Sequence, residues 1–274
     1  MAGDINDAFI IQYESEFSHA LQQTESMLRS TVWQNSGVVG SQVRFPVLAT
    51  VSSTKNRARH NILAGDGDAH TNATATLSNY EAYRFIDSLD EFKTNISLRQ
   101  GYTESIVAEL NRNMDNEIIT AMNTTYTSEG SAAAMSKARM AGLREIAGEQ
   151  NWSSTQGWHL AVTPAIFSEV LQLTEVSSGD YSEKGNFDGL TRSVNVYGIH
   201  VMEVPELDNF NASASNHYGF FYAEKSVGLG IGRDITPKIN YSPAHNADIV
   251  LGEMSTGAVT IQQSGVYRVS VNGL

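Results

Sequence analysis

The sequence predicts an α+β fold, and three observations carry that expectation. Residues 103–123, "TESIVAELNRNMDNEIITAMN", place apolar side chains every four positions over about six turns. The C-terminal third alternates short β-type runs with turn residues. Charged residues make up only 18% of the chain, and Ser, Thr, Asn and Gly fill their place, a mix that suits strands and long loops better than a helical bundle.

The elements follow in order. "DAFIIQYESEFSHALQQTESMLRSTV" sets Ile10, Tyr13, Phe17, Leu21 and Leu28 at helical spacing, which predicts one or two helices ending before "NSGVVGS". "QVRFPVLATV" is a strand containing Pro46, and a proline cannot donate to a ladder, so the strand lies at an edge or protrudes. Residues 52–73 are polar and Gly-containing, and "TATLSNYEAYRFIDSLD" reads as one strand beyond them. Two strands separated by such a long polar excursion suggest a segment that is either functional or disordered.

The 103–123 stretch is a helix roughly 30 Å long. Ile106, Leu110, Met114, Ile118 and Met122 form its core stripe, Val107 and Ile119 widen it, and Thr103 is the expected N-cap with Glu104 at the positive end of the dipole. "AAMSKARMAGLREIAG" is a second helix with Gly148 as its expected C′ residue. "GWHLAVTPAIFSEVLQL" gives a strand, Thr163 as N-cap, Pro164 at the first helical position and a short helix. "SVNVYGIHVMEVPEL" and "HYGFFYAEKSVGLGIG" read as strands, the latter turning near Ala223–Val227. "KINYSP", "DIVLGEM", "GAVTIQ" and "GVYRVSV" read as four short strands.

Composition narrows the function. Thirty acidic residues against 18 basic ones leave a formal charge of −12, which argues against dedicated nucleic-acid recognition. There is no cysteine, hence no disulfide, thiolate nucleophile or cysteine-ligated metal. The N-terminal residues show no basic n-region, and no stretch approaches the roughly 20 apolar residues of a membrane helix. A protein made in a reducing cytoplasm is the expectation.

Catalytic chemistry finds no foothold. "GEMSTG" has the wrong spacing for a nucleophile elbow, and the seven histidines form no HExxH and no close pair along the chain. "GLGIGRD" lacks the x-x-Gly spacing of a dinucleotide fingerprint, and Pro237 interrupts where the required helix must run; Gly228, Gly230 and Gly232 read better as a strand packed closely on a neighbour. "AGDGDAHTN" (Asp66, Asp68, Asn72) fails as a calcium loop, because Leu77 stands where a bidentate Glu is needed. No metal and no cofactor is expected. "KNRAR" places Lys55, Arg57 and Arg59 on one face of an extended segment. A solvated face carries about half the weight there, and acidic surface on another copy is the favoured partner otherwise.

An arm, a long hairpin and a spine-like helix, with no site for chemistry, point to a structural protein whose extensions find partner surface on neighbouring subunits. The chain resembles the major capsid proteins of tailed bacteriophages, the Hong Kong 97-like fold. "DSLDEFKTNISLRQGYTESIVAELNRNMDNEIITAMN" is similar to the acidic lead-in and spine helix of that family, with Asp90, Arg99, Tyr102 and the Asp115, Ile118, Ile119 pattern in place. "HLAVTPAIFSEVLQ" is similar to the strand and helix that open its axial domain, and the segment from "AEKSVGLG" to "GVYRV" to its closing strands.

The resemblance implies an N-terminal arm (1–42), an extended β-hairpin loop (43–86), a peripheral domain with the spine helix (87–130), a mainly axial domain (131–245) and closing C-terminal strands (246–274). It implies a non-enzymatic shell protein that self-assembles through pentamers and hexamers into an icosahedral head around double-stranded DNA. Scaffolding and portal proteins would be its partners, DNA would be contacted non-specifically, and no membrane would be involved. The protein would be made in the bacterial host cytoplasm and reside in the virion. An encapsulin-like compartment shell, which shares the fold, is the second reading and would need a cargo-docking groove. A lone enzyme domain is a distant third.

Overall fold

The computed structural model describes residues 23–48, 70–87, 98–153, 155, 157–173, 192–210 and 216–272. Two sheets share one core. In the first, β1 (Trp33–Ser36) runs parallel to β10 (Val227–Ser242), β10 pairs antiparallel with β11 (Ala247–Thr260), and β11 pairs antiparallel with β4 (Ser78–Asp87). The second has the order β5 (Thr127–Ser128), β12 (Val266–Asn272), β9 (Asn216–Ala223), β6 (Trp158–Val162), β8 (Ile199–Glu203) and β7 (Ser193–Val196). A separate ribbon pairs β2 (Gln42–Val47) with β3 (Thr71–Thr76), and Pro46 sits in it without breaking a central ladder.

Helix α1 (Leu98–Thr124) is the spine. Ile106, Leu110, Met114, Ile118, Ile119 and Met122 are all buried, in one cluster with Ile86, Leu229, Val250 and Met254 of the first sheet and Phe220 and Tyr222 of the second. Val107 is only half-buried, at the margin of the stripe. Gly252 of β11 lies under Ile106 and Leu110, whose methyl groups occupy the space that a Cβ there would need. Truncating Ile106, Leu110 or Ile118 to Ala is expected to cost about 2–5 kcal/mol each. Glu109, exposed and paired with Arg112, should cost only about 0.5 kcal/mol on the same change. Thermal midpoints of the four variants decide it; equal shifts would mean that the stripe does not carry the packing.

The opposite face of the second sheet holds another cluster. Leu160, Val162, Val201, Phe221 and Val269 pack there against α2 (Lys137–Glu149) and α3 (Pro164–Leu171). Thr163 caps α3 by accepting from the Ile166 N–H, and Pro164 takes the first turn, as the sequence predicts.

Several expectations are corrected. Thr103 is not a cap: α1 starts at Leu98, and the Thr103 hydroxyl donates back to the Arg99 carbonyl at 2.7 Å. Gly148 stays helical. Asn151 takes the left-handed position (φ 53°) instead, with its N–H on the Gly148 carbonyl and the Trp152 N–H on the Ala147 carbonyl, a Schellman closure. The run "TATLSNYEAYRFID" divides at Leu77, because β3 pairs with β2 while β4 joins the first sheet. "SVNVYGIHVMEV" is a hairpin, turned by Tyr197 (φ 52°) and Gly198 (φ 81°) in the doubly left-handed geometry that tight hairpins favour.

"DIVLGEM" and "GAVTIQ" are one strand, β11, whose inner glycines mark close approach and not turns. Of the apolar positions taken as an N-terminal helix, Leu28 is buried in the core next to a three-residue 3₁₀ turn (Arg29–Thr31), while Ile10, Tyr13, Phe17 and Leu21 lie outside the described residues.

Candidate functional site

Two local constructions tie peripheral segments to the body of the subunit. The first is the root of the hairpin. β2 turns Val43 and Phe45 inward, and with Ala75 of β3 they form a small core of their own, joined by Val38, Val259 and Ile261. Its floor is glycine. A Cβ on Gly228 would stand 2.8 Å from the Phe45 ring, one on Gly230 would strike Val43, and one on Gly232 would stand 2.9 Å from Leu77. On the neighbouring strand, a Cβ on Gly257 would overlap the Thr76 carbonyl oxygen. The alternating glycines of "GLGIG" therefore let the ribbon lie directly on the sheet, as the sequence reading of a closely packed strand expects.

The second construction is a latch. Asp115, fully buried on α1, accepts four hydrogen bonds from a segment nearly ninety positions upstream in the chain. One carboxylate oxygen takes the Ser26 hydroxyl at 2.6 Å and the Leu28 N–H at 3.1 Å; the other takes the Gln23 amide at 2.8 Å and the Met27 N–H at 2.9 Å. One turn back on the helix, Asn111 donates to the Thr24 carbonyl at 2.9 Å and Arg112 to the Gln23 carbonyl at 3.2 Å. Burial pushes the Asp115 carboxyl above the usual carboxylate range, and the four donors oppose that push. Glu206, also buried, is raised by its own desolvation and further by the Asp115 charge.

The segment continues into the core through Thr31, whose hydroxyl is 2.6 Å from the buried Tyr222 hydroxyl. Arg29 closes it on the outside with a bidentate pair to Asp234 at 2.6 and 3.0 Å. Sequence reading picked out Asp115 as part of a pattern and missed its role. The available signal was a carboxylate flanked by Met114 and Ile118 in the apolar stripe, a placement that burial permits only with donors around it.

Elsewhere the sequence expectations fare unevenly. Lys55, Arg57 and Arg59 lie outside the described residues, as do Asp66, Asp68 and Asp90, so the structure brings none of them to a site. Arg99 pairs with Asp248 at 2.7 Å, and Tyr102 packs against the main core. Histidines far apart in sequence do meet: His159 and His200 sit opposite each other on β6 and β8, with ring centres 5.6 Å apart. Burial, with His200 beside it, lowers His159 to about 4, so it is neutral at pH 7. Among the described residues no three His, Asp or Glu side chains converge as metal ligands, and no helix is long and apolar enough to cross a membrane.

On the outer face of the first sheet, away from α1, Tyr83 and Phe85 stand exposed with ring centres 5.6 Å apart, and Phe85 meets the His245 ring at 4.6 Å. Apolar surface of this kind on an ordered sheet marks a contact surface more often than a catalytic one.

A family model described as phage capsid protein matches residues 5–272. The chain belongs to that family. Solved structures agree on the fold. The capsid of cyanophage P-SCSP1u is 18% identical, with 98% of this chain and 94% of that one covered and a TM-score of 0.74. Mycobacterium phage Che8 is 14% identical, with 95% and 97% covered and a TM-score of 0.74. The acid-stable capsid of Helicobacter pylori bacteriophage KHP30 is 10% identical, with 98% and 96% covered and a TM-score of 0.70. No curated protein sequence matches.

The capsid protein thus has the Hong Kong 97-like α+β fold that its sequence resembles. It is a major capsid protein, a structural component of the virion's head shell and not an enzyme, and the encapsulin-like alternative is not favoured. In that light the hairpin root and the Asp115 latch are devices of aim. They hold the β2–β3 ribbon and the segment from Gln23 to Leu28 in fixed relation to the body of the subunit.

Proposed function

We propose that the capsid protein self-assembles, through pentamers and hexamers, into a closed icosahedral head around double-stranded DNA, with the β2–β3 loop reaching a neighbouring copy. The observation that carries this reading is the ribbon itself. One face is docked on glycines and the other is left uncovered, so the strands serve a partner outside their own subunit. The exposed Tyr83 and Phe85 support it as surface for an assembly to cover.

In the proposed division, residues 1–42 form the arm, 43–86 the extended loop, and the sheet-backed spine (87–130) the peripheral domain. Residues 131–245 are mainly axial, and 246–274 return as closing strands. Scaffolding and portal proteins are the proposed partners, DNA is contacted non-specifically, and synthesis takes place in the host cytoplasm.

Lys55, Arg57 and Arg59 are the proposed loop contacts, meeting carboxylates of the neighbouring copy. Each exposed pair contributes only about 0.2–1 kcal/mol, but the shell repeats it at every loop. Arg57→Glu combined with Arg59→Glu is expected to block or slow assembly, read by light scattering, while circular dichroism shows a folded subunit. Added salt should weaken wild-type assembly in the same direction, with screening over about 10 Å at 0.1 M. Normal shells from the double variant would leave these cations as solvated surface, and normal empty shells that fail to retain DNA would assign them to phosphate.

A further inference from the structure

Arg268 lies between two aromatic rings and pairs with no carboxylate among the described residues. It projects from β12 opposite Phe220 of β9, on the core-facing side of the second sheet near its rim. Its guanidinium carbon lies over the Tyr126 ring at 4.2 Å and over the Tyr218 ring at 4.7 Å. Two aromatic faces against a planar cation hold it in place and leave its in-plane edge as the direction for hydrogen bonds. Its Nε is buried and has no hydrogen-bond partner among the described residues. Arg29, Arg99, Arg112, Arg139 and Arg233 all pair with carboxylates of their own chain. Glu129, whose N–H bonds the Arg268 carbonyl, has its carboxylate turned to Arg139 at 2.6 Å.

The terminal guanidinium nitrogens, held between the two rings and given no carboxylate of their own chain among the described residues, match a planar, bidentate anion. We propose that Arg268 receives a carboxylate from a second copy of this chain, as a contact between subunits of the shell. The inference rests on the shell-building reading above. Charge selects the partner: 30 acidic residues against 18 basic ones make carboxylates the commonest ion on any neighbouring copy. Nucleic-acid phosphate calls for clustered cations. Arg268 stands instead among Tyr126, Tyr218 and Phe220, with Glu129 bonded to its own backbone.

The test compares the full wild-type chain with Arg268→Lys, which keeps the charge over the rings and loses the forked edge. Arg268→Ala serves as the full deletion. Sedimentation across a concentration series reads assembly, and thermal melting reads the unassembled subunit. Arg268→Lys is expected to raise the concentration needed for assembly by about tenfold or more, the scale of a lost bidentate charged contact. Its melting temperature should stay within roughly 2 °C of wild type. In electron density of the wild-type shell, a neighbouring carboxylate should lie within hydrogen-bonding distance of the guanidinium edge.

Assembly of Arg268→Lys at the wild-type concentration would overturn the inference while leaving shell building intact. So would a fall in subunit melting that accounts for the assembly defect, or normal empty shells with impaired DNA retention. Failure of the wild-type chain to assemble would overturn the shell-building reading and this inference with it.

Discussion

Asp115→Ala is expected to destabilise the unassembled subunit by about 3–4 kcal/mol and to lower its melting temperature by roughly 10 °C. The substitution strips the acceptor from two backbone N–H groups, one hydroxyl and one amide, at a site closed to solvent. Asp115→Asn keeps one acceptor oxygen but points an NH₂ group at donors, so it should fall between wild type and Ala. The loss should be local at first. The segment from Gln23 to Leu28 would release from α1, and hydrogen exchange at Met27 and Leu28 would rise well before the core opens. If Asp115→Ala melts within 2 °C of wild type, water replaces the carboxylate at little cost and the latch has no energetic weight.

Gly257→Ala is expected to be as damaging by the opposite route. The added methyl group meets the Thr76 carbonyl and the Leu77 Cα, which are main-chain atoms that no rotamer can move aside. Overpacking of this kind costs about 1–3 kcal/mol, occasionally more, and relief requires the β2–β3 ribbon to lift from the sheet. The expected result is a folded subunit with a lowered melting point and no assembly, because the loop is aimed wrongly. Gly142→Ala is the control. It lies within α2 with no atom within 4 Å of the added methyl, and should stabilise by about 1 kcal/mol. Assembly of Gly257→Ala at the wild-type rate would show that the ribbon's seat does not govern the loop.

The contrast between these sites explains what the sequence could reveal. The spine stripe from Ile106 to Met122 is legible because helical period and burial are both local to one element. The Thr163–Pro164 cap is legible for the same reason. β11 reads as two strands because Gly257, following Ser255 and Thr256, carries two meanings. Glycine marks a turn or a close approach, and only knowing that β3 crosses there selects the second. The Tyr197–Gly198 hairpin was hidden because Tyr is a poor marker of a left-handed turn.

Asp115 shows the limit most clearly, since its four donors lie 87 to 92 positions away. The sequence shows a carboxylate in an apolar stripe and gives no hint of which backbone it holds. Arg268 is equally silent: Tyr126 lies in the link between α1 and β5, Tyr218 on β9 and Arg268 on β12. The resemblance to a capsid family supplied what local patterning lacked, the order in which those elements are joined.

The proposed function requires this chain to build a closed shell from copies of itself. Negative-stain microscopy of the purified wild-type protein, with light scattering on the same sample, tests it most directly. The expected result is pentamers, hexamers or closed particles of regular diameter, formed through contacts that depend on the loop. A uniform 30 kDa monomer persisting at high concentration would contradict it.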